Sequence, residues 1–433
     1  MSPIIIGLLF FIALFILLSL GTPVGLGMAV IGFAGMLVFL SAPAALSMLT
    51  FVPYETIANY SYSVMPLFFL MANVAFASGI TRDLYNLASK WLGHQRGGVA
   101  MATIGASAGF AAVSASSIAT AATMGLMAIP EMKRLKYDDR LATGSVAAGG
   151  TIGILIPPSG LLIIYGILTE QSIGKLFIAG IVPGILEAVF YMVTIYLLCL
   201  WNPHMGPRGP KTSFKEKIMA FSGCGEMVAL IFLVLGGLIL GWFTPTEAGG
   251  VGAFGAILFS MVRGRITFEK FKKALIETMM TTGMIYFILI GAFIFNNFLA
   301  LTTIPNQLAY LIGGLPFPPL MIMLFIILMY MFLGCIMDAF AMILLTIPIF
   351  FPLAVSLGFD PIWFGIIIVR VVEMGMITPP IGINVYTIAG VAPEVPMQNI
   401  FKGIIPFFIA DIFHVALLLL VPSVVLFLPN LMY

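Results

Sequence analysis

The sequence predicts an all-α polytopic membrane protein with two inverted-topology repeats, each containing a re-entrant helical hairpin and a broken transmembrane helix. Hydrophobic residues make up 61% of the 433 residues and charged residues only 8%, whereas a soluble domain is about 25% charged. Apolar runs of about 20 residues recur along the chain, and each is long enough to cross a bilayer. Two repeated helix breaks and the distribution of basic residues complete the prediction.

Two pairs of consecutive prolines interrupt apolar segments. Pro157-Pro158 lies in Ile-Leu-Ile-Pro-Pro-Ser-Gly, and Pro379-Pro380 lies in a similar stretch of the second half, Ile-Thr-Pro-Pro-Ile-Gly. Proline lacks an N–H and forces the chain out of a helix. In hydrocarbon the freed carbonyl groups need partners from protein or from a wet cavity. Helix breaks at matching positions of two halves therefore predict a transport site near the bilayer midplane.

The number of residues that separates the two proline pairs also separates matching residues along most of the two halves of the chain. Matching pairs include Thr22/Thr244, Pro23/Pro245, Pro130/Pro352, Asp138/Asp360 and Gly153/Gly375. A constant register over most of each half indicates an internal duplication. We place repeat one at residues 1–200 and repeat two at 223–433.

Loop charge indicates that the repeats are inverted. The connections at 82–96 and 133–140 are basic, whereas the matching stretches at 304–318 and 353–362 contain no Lys or Arg. Conversely, 263–273 is basic and its first-half counterpart is not. Because basic residues mark cytoplasmic loops, matching loops lie on opposite sides of the membrane.

This rule predicts a path from a periplasmic N-terminus through spans 4–20, 24–42 and 62–80 to an interfacial helix at 82–96. The segment 97–130 begins and ends at basic loops, so we predict a re-entrant hairpin rather than one long broken helix. Its turn is predicted at Ser114-Ala115-Ser116-Ser117, and the second hairpin turn at 334–338. On this path 17 of the 19 Lys and Arg residues are cytoplasmic, and the two exceptions are Lys175 and Arg370.

The predicted architecture separates a scaffold from a moving transport domain. Its parts are scaffold 1–80 and 223–300, interfacial arms 81–96 and 301–316, a cytoplasmic linker 201–222, and a transport domain 97–200 and 317–433.

Two hairpin turns and two broken helices are predicted to meet at mid-membrane. Helix N-termini offer N–H groups to an anion, and unwound carbonyl groups offer oxygen to Na⁺. The alternative for the small residues is close helix packing. We place Na⁺ at Ser116, Asp338 and Thr378. The candidate substrate and sodium residues are Ser114, Ser116, Ser117, Thr120, Gly153, Pro157, Pro158, Ser159, Asp338, Arg370, Glu373, Gly375, Thr378, Pro379, Pro380 and Asn384.

Charged residues at membrane depth are functional candidates by default. Asp338 is predicted to be a cation ligand or proton site, and the alternative is an N-cap of the returning hairpin arm. Arg370 and Glu373, three residues apart before the second break, form either a mutual ion pair or a site where Arg370 holds an anionic substrate. Asp411 and His414 on the last helix are interpreted as polar packing groups.

Several functional classes find no support in the sequence. There is no Walker A motif, no His-Glu-x-x-His and no nucleophile elbow, so neither ATP-driven transport nor proteolysis is expected. The basic residues are spread among loops, which does not indicate nucleic-acid binding. Glu247 lies three residues after Thr244, with Pro245 between them, and is predicted to complete a helix capping box.

The chain resembles the large membrane subunit of a tripartite ATP-independent periplasmic (TRAP) transporter along its whole length. The residues that carry the resemblance are Phe243-Thr-Pro-Thr-Glu-Ala, Ile156-Pro-Pro-Ser and Gly375-Met-Ile-Thr-Pro-Pro-Ile-Gly. The family's usual Ser-Gly-Ser-Ser hairpin turn is here Ser114-Ala115-Ser116-Ser117, which preserves the hydroxyl groups. Arg370 is not part of a family motif.

The resemblance implies a sodium-coupled importer of organic anions in a bacterial inner membrane that works by an elevator movement. It implies two protein partners, a small four-helix membrane subunit and a periplasmic substrate-binding protein. We expect the small subunit to be a separate chain. We expect no cofactor beyond Na⁺ as coupling ion.

Two other functions are compatible with the sequence. One is a self-sufficient, proton-coupled anion carrier with Asp338 as the proton site. The other is an ion channel lined by the broken helices, for which the sequence offers little, because Asp338 matches Ser116 in the other repeat. Uptake that needs neither sodium nor a binding protein indicates the first, and current without a saturable substrate indicates the second.

Overall fold

The computed structural model describes residues 2–114, 116–313 and 316–432, apart from the side chains at positions 80, 81, 309 and 313. Within these ranges the chain forms helices joined by turns and contains no strand. Seven helical segments of the described chain are long and apolar enough to cross a membrane. The predicted all-α, polytopic fold class is confirmed.

The first repeat contains ten α-helices among the described residues. They are α1 Pro3–Ser19, α2 Val24–Phe39, α3 Ala42–Ala58, α4 Val64–Ala77, α5 Ile80–Leu92, α6 Gly98–Ser114, α7 Ser117–Arg134, α8 Asp139–Leu155, α9 Gly160–Thr169 and α10 Ile173–Trp201.

The second repeat keeps this order, except that one helix covers the equivalents of α3 and α4, and a further helix follows at the end. Its helices are α11 Phe214–Ile231, α12 Gly237–Ile239, α13 Pro245–Val262, α14 Phe268–Thr302, α15 Ile304–Gly313, α16 Pro319–Gly334, α17 Ala339–Ser356, α18 Pro361–Ile377, α19 Ile383–Val391, α20 Met397–Leu420 and α21 Ser423–Met432. The chain runs from α11 into α12 through a π-helical turn, Phe232–Gly236.

Helix bounds in the two repeats keep the register that the sequence predicts. α8 and α18 begin and end at positions that the constant offset makes equivalent, and so do α7 and α17. The N-caps repeat as well. The Asp138 carboxylate accepts a hydrogen bond from the Arg140 N–H, and the Asp360 carboxylate accepts from the N–H groups of Ile362 and Trp363. Each Asp satisfies N–H groups that the first turn of a helix leaves unpaired.

Contacts between the repeats come in reciprocal pairs. α2 packs on α14 and α4 on α13, α8 packs on α20 and α10 on α18, and α7 packs on α19 and α9 on α17. Within each pair, the second contact is made by the helices equivalent to those of the first contact, with the two repeats exchanged. A two-fold relation between the repeats requires this. The repeats are therefore interleaved rather than placed side by side.

Both predicted hairpins are helix pairs. α6 and α7 pack against each other and against α8, and α16 and α17 pack against each other and against α18. This excludes the alternative of one long helix over 97–130. Of the predicted first turn, Ala115 lies outside the described residues.

The predicted interfacial helix is α5, which ends at Leu92. Its apolar stripe begins at Leu84, which is buried, and ends at Trp91, whose ring meets Phe221 of α11 edge-on. On its polar face Asp83 forms an ion pair with Arg265, in the loop between α13 and α14. α5 is thus attached to the second repeat by both faces. Gly314 and Leu315, in the second predicted arm, lie outside the described residues.

One helix is absent from the predicted path. After the second span the sequence predicts only one more, at 62–80, but the structure has two helices there, α3 and α4. In the second repeat, the segments equivalent to α3 and α4 form one continuous helix, α14. In repeat one α3 ends before Asn59, a 3₁₀ turn follows, and Pro66 lies in the first turn of α4. The equivalent positions of α14 are Thr281 and Ile288, which do not interrupt a helix.

The predicted capping box of α13 is confirmed. The Thr244 N–H donates to Glu247 Oε2 at 2.8 Å, and the Glu247 N–H donates to Thr244 Oγ1 at 3.3 Å. The position equivalent to Glu247 in repeat one is Gly25, where a Cβ would lie 2.8 Å from the Phe287 carbonyl oxygen. Close approach of α2 and α14 therefore excludes a side chain there.

Candidate functional site

Two hydroxyl groups gather around one carbonyl at the turn of the first hairpin. The Ser116 carbonyl accepts hydrogen bonds from the hydroxyl groups of Thr120, at 2.8 Å, and Ser114, at 3.4 Å. The Ser114 and Thr120 hydroxyl oxygens are 2.7 Å apart. Ser116 is also the N-cap of α7, since its Oγ accepts from the Ala119 N–H. The turn thus combines a helix N-terminus with several oxygen atoms.

The first helix break lies directly against this turn. A Cβ on Gly153, in the last turn of α8, would lie 2.8 Å from Thr120 Oγ1 and 3.3 Å from the Ser116 carbonyl oxygen. Glycine is needed here for close approach, as the helix-packing alternative for the small residues predicts. The chain leaves α8 at Leu155 and enters α9 at Gly160.

The residues of the first break are all buried. Pro157 and Pro158 lie between the two half-helices, and Ser159 caps α9 by accepting from the Leu162 N–H at 3.3 Å. The N-terminus of α9 therefore begins inside the protein rather than in hydrocarbon. Protein around the break satisfies the requirement that irregular backbone at membrane depth be enclosed.

Asp338 occupies the equivalent place at the second hairpin. It is the N-cap of α17, and its Oδ2 accepts from the N–H groups of Phe340, at 3.0 Å, and Ala341, at 3.4 Å. The N-cap alternative for Asp338 is thus confirmed. Because Oδ1 takes part in neither bond, the capping role does not occupy the whole carboxylate. Its role as a cation or proton site stays a prediction.

The second break is built like the first but is open. A Cβ on Gly375 of α18 would lie 2.6 Å from the Cα of Gly334, which ends α16, the first arm of the second hairpin. The Thr378 hydroxyl donates a hydrogen bond to the Met374 carbonyl at 2.6 Å. Pro379 and Pro380 are exposed, in contrast to the buried prolines of the first break. The two breaks therefore differ in access.

One contact joins the first hairpin to the second break. The Ser117 hydroxyl donates to Asn384 Oδ1 at 3.5 Å and lies 3.7 Å from the sulfur of Met376. Asn384, in the first turn of α19, is fully buried, and its Nδ2 has no hydrogen-bond partner among the described residues. The structure thus brings Ser117 and Asn384 together, as the prediction of a shared site requires.

Arg370 is the centre of a buried charged cluster. Its guanidinium forms an ion pair with Asp411 and lies 3.3 Å from Glu187 Oε1. Its Nε donates to His414 Nδ1 at 3.1 Å, and its Nη2 donates to the Tyr191 hydroxyl at 3.4 Å. This cluster joins α10, α18 and α20. Two carboxylates compensate a guanidinium that is removed from water.

One sequence prediction fails at this cluster. The mutual ion pair of Arg370 with Glu373 is wrong, because Arg370 pairs instead with Glu187 and Asp411. The cause is that α10 and α20 pack on α18 and place their acids on the face that Arg370 occupies. Asp411 and His414, interpreted as polar packing groups, are buried polar groups that pack directly against the guanidinium.

Glu187 and Tyr191 are the cluster members that the sequence analysis did not identify, and Glu187 is the charged one. It is fully buried in α10, and its Oε1 accepts a hydrogen bond from the Thr151 hydroxyl at 2.9 Å. The Thr151 hydroxyl also lies 3.1 Å from the Tyr191 hydroxyl. The sequence does contain a signal for Glu187, namely an acidic residue within an apolar span. The same signal identified Asp338 as a functional candidate.

Glu373 lies between the cluster and the hairpin turns. Neither of its carboxylate oxygens has a hydrogen-bond partner among the described residues, and the side chain is 1% exposed. Arg370 and Glu187 of the cluster and Asp338 of the second hairpin lie within electrostatic reach of Glu373, and the Ser117 hydroxyl is near it without a well-formed hydrogen bond. An unpartnered carboxyl group here points to a ligand or proton that completes the site.

We predict that Arg370→Met lowers the stability of the protein by about 3–5 kcal/mol, because it leaves two buried carboxylates without a cation. The measurement is thermal unfolding of the purified protein. Combining Arg370→Met with Glu187→Gln and Asp411→Asn is expected to recover most of the loss.

The matched control is Arg134→Met, which removes an exposed ion pair with Glu131. Such a pair contributes about 0–1 kcal/mol. Equal losses from Arg370→Met and Arg134→Met would contradict the structural role assigned to the buried cluster.

A family model described as "Tripartite ATP-independent periplasmic transporter, DctM component" matches residues 11–424. The chain is 35% identical over 402 residues to the C4-dicarboxylate TRAP transporter large permease protein of Pseudomonas aeruginosa. The alignment covers 92% of this chain and 93% of that protein. It is 34% identical over 409 residues to the isethionate TRAP transporter permease protein of Oleidesulfovibrio alaskensis, which covers 93% of this chain and 62% of that protein.

Among solved structures, the fold is similar to that of the YdaH transporter of Alcanivorax borkumensis. The TM-score is 0.66 at 15% sequence identity, over 88% of this chain and 89% of that one. At this identity the likeness concerns the fold alone. The sequence relatives are named as permeases rather than enzymes. The family model and these relatives together show that the chain belongs to the DctM components of the tripartite ATP-independent periplasmic transporters.

Proposed function

We propose that this chain imports a small organic anion, a carboxylate or a sulfonate, together with Na⁺, by an elevator movement. The observation that carries the proposal is the buried contact of Ser117 with Asn384, which places a hairpin N-terminus beside a helix break. Unpaired polar groups in a dehydrated place are costly. An anion and a cation held there compensate both the donors and the acceptors.

The anion is held by donors at the helix ends. The N-termini of α7, α9 and α19 lie at the hairpin and the breaks, and such ends attract negative charge. The free Nδ2 of Asn384 supplies a side-chain donor. The names of two relatives mention a C4-dicarboxylate and isethionate, so a carboxylate or sulfonate group is the substrate feature we assign.

Sodium is held by oxygen atoms at the same helix ends. We assign Ser116, Asp338 and Thr378 as ligands, with Thr120 beside Ser116. Oxygen ligands from unwound backbone and half-helix ends are those that coupling ions use in transporters with broken helices. Asp338 carries the charge that makes the site selective for a cation over a neutral molecule.

An elevator movement is supported by the difference between the breaks. The first is buried on all sides and the second is exposed at Pro379 and Pro380, as in a carrier open toward one side only. Arg370 and its partners join helices of both repeats, which favours movement of that part as one body.

The proposed setting is a bacterial inner membrane, with a periplasmic N-terminus and the basic loops in the cytoplasm. The small membrane subunit and a periplasmic binding protein are the proposed partners. Several scaffold helices expose large apolar side chains, among them Leu8 of α1 and Met280 of α14. These faces are available to lipid or to the small subunit.

The experiment is uptake by proteoliposomes that contain this chain and its small subunit. Binding protein and an inward sodium gradient are each added or omitted, with radiolabelled C4-dicarboxylates, keto acids, sialic acid and sulfonates. Saturable uptake of one class only when both are present supports the proposal. Uptake driven by a proton gradient alone would establish the self-sufficient carrier instead, and current without saturable uptake would establish the channel.

We predict that Asp338→Asn raises the sodium concentration for half-maximal uptake by about 10- to 100-fold, since an interaction with a charged group contributes about 1.5–3 kcal/mol. Asparagine caps a helix about as well as aspartate, so thermal stability should change little. The readout is the sodium dependence of initial uptake rates.

Asp360→Asn is the matched control, because Asp360 caps α18 in the same way and lies away from the hairpin turn. Its sodium dependence should equal that of the unaltered protein. If Asp338→Asn leaves the sodium dependence unchanged, Asp338 is a cap only.

A further inference from the structure

A basic cavity lies at one end of α10, apart from the hairpin turns. Its volume is about 490 Å³, and three segments line it: the loop between α5 and α6, the end of α10, and the linker that follows. Four lining residues carry basic groups, namely His94, Arg96, Arg208 and Lys211, and none is acidic. The sign of the charge makes the cavity a candidate anion site.

Backbone hydrogen bonds hold the two irregular segments of this cavity together. The Gly97 N–H donates to the Gly206 carbonyl at 2.8 Å, and the Gly209 N–H donates to the Gly93 carbonyl at 2.9 Å. A Cβ on Gly97 would lie 2.7 Å from the sulfur of Cys199, so the loop is packed closely onto α10. The basic side chains therefore extend from a fixed frame.

Within the part of the chain that the structure describes, no carboxylate pairs with the Arg and Lys side chains of this cavity. Among the described residues no carboxylate lies within ion-pairing distance of Arg96, Arg208 or Lys211, whereas Arg263, in another basic loop, pairs with Glu226 at 2.5 Å. The Nδ1 atom of His94 is buried and has no hydrogen-bond partner in the described part of the chain. The buried nitrogen without a partner needs a ligand or water to satisfy it, and the positive charge around it favours an anion in the cavity.

One wall of the cavity is largely apolar and exposed. Tyr196 and Leu200 line it from α10 and are both about half exposed, and Trp201 next to them is 79% exposed. Tyr and Trp are enriched where a membrane protein meets the headgroup region. Basic pockets beside transmembrane helices at this level bind anionic headgroups. A soluble anion has no need of the exposed apolar wall.

We propose that this cavity binds the phosphate of an anionic phospholipid, whose acyl chains lie along Tyr196, Leu200 and the apolar face of α10. The headgroup joins the loop that follows α5 to the linker between the repeats. The lipid site is separate from the proposed substrate site, and lipid binding there does not depend on which anion is transported.

The test is lipid binding to the purified complex of this chain with its small subunit, by native mass spectrometry with phosphatidylglycerol, cardiolipin or phosphatidylcholine. The variant Arg96→Gln/Arg208→Gln is expected to weaken phosphatidylglycerol binding about 30-fold, since each basic residue contributes about 1 kcal/mol and 1.4 kcal/mol is tenfold. Phosphatidylcholine binding should not change.

The control variant Lys215→Gln/Lys272→Gln removes the same charge from exposed basic residues that do not line the cavity, and it should bind phosphatidylglycerol as the unaltered protein does. A charge-preserving variant, Arg96→Lys/Arg208→Lys, is expected to keep most of the binding, which separates loss of charge from loss of folding. Glycerol 3-phosphate and inorganic phosphate are added as competitors.

Two results would overturn the proposal. One is equal binding of phosphatidylglycerol by the Gln variant and the unaltered protein. The other is displacement of the lipid by glycerol 3-phosphate or inorganic phosphate at similar concentration, which would make the cavity a site for soluble phosphate compounds.

Discussion

Backbone groups freed by a helix break cannot remain unpaired inside a membrane, and this constraint organises the structure. Each break lies against the turn of a hairpin, and the contact is made possible by Gly153 in one repeat and Gly375 in the other. A side chain at either position would separate the break from the hairpin. The helix ends that we propose as the ion and substrate site are thus brought together by the same packing that encloses the backbone.

The charged and amide side chains of the interior fall into two groups. Arg370, Asp411, Glu187 and His414 contact one another and join three helices from both repeats. Glu373, Asn384 and Asp338 keep oxygen or nitrogen atoms free of protein partners or only partly used, and they lie toward the hairpin turns. The first group holds the packing together, and the second is free to meet a ligand.

Local features were predictable from the sequence, and the choice of distant partners was not. The hairpins, the breaks and the caps at Asp138 and Asp360 follow from proline, glycine and cap residues within a few positions. The partners of Arg370 depend on how α10 and α20 pack on α18, which no short-range pattern encodes. The helix α3 was missed because its polar and proline residues lower the apolar signal of its span.

We propose that Na⁺ and an organic anion bind where the hairpin turns meet the helix breaks. The most direct measurement is an electron cryo-microscopy map of the complex with substrate, recorded once in Na⁺ and once in K⁺. We predict sodium-dependent density among Ser116, Asp338 and Thr378, with substrate density beside Asn384. Well-resolved turns with sodium-dependent density elsewhere, or identical maps in both salts, would contradict the account.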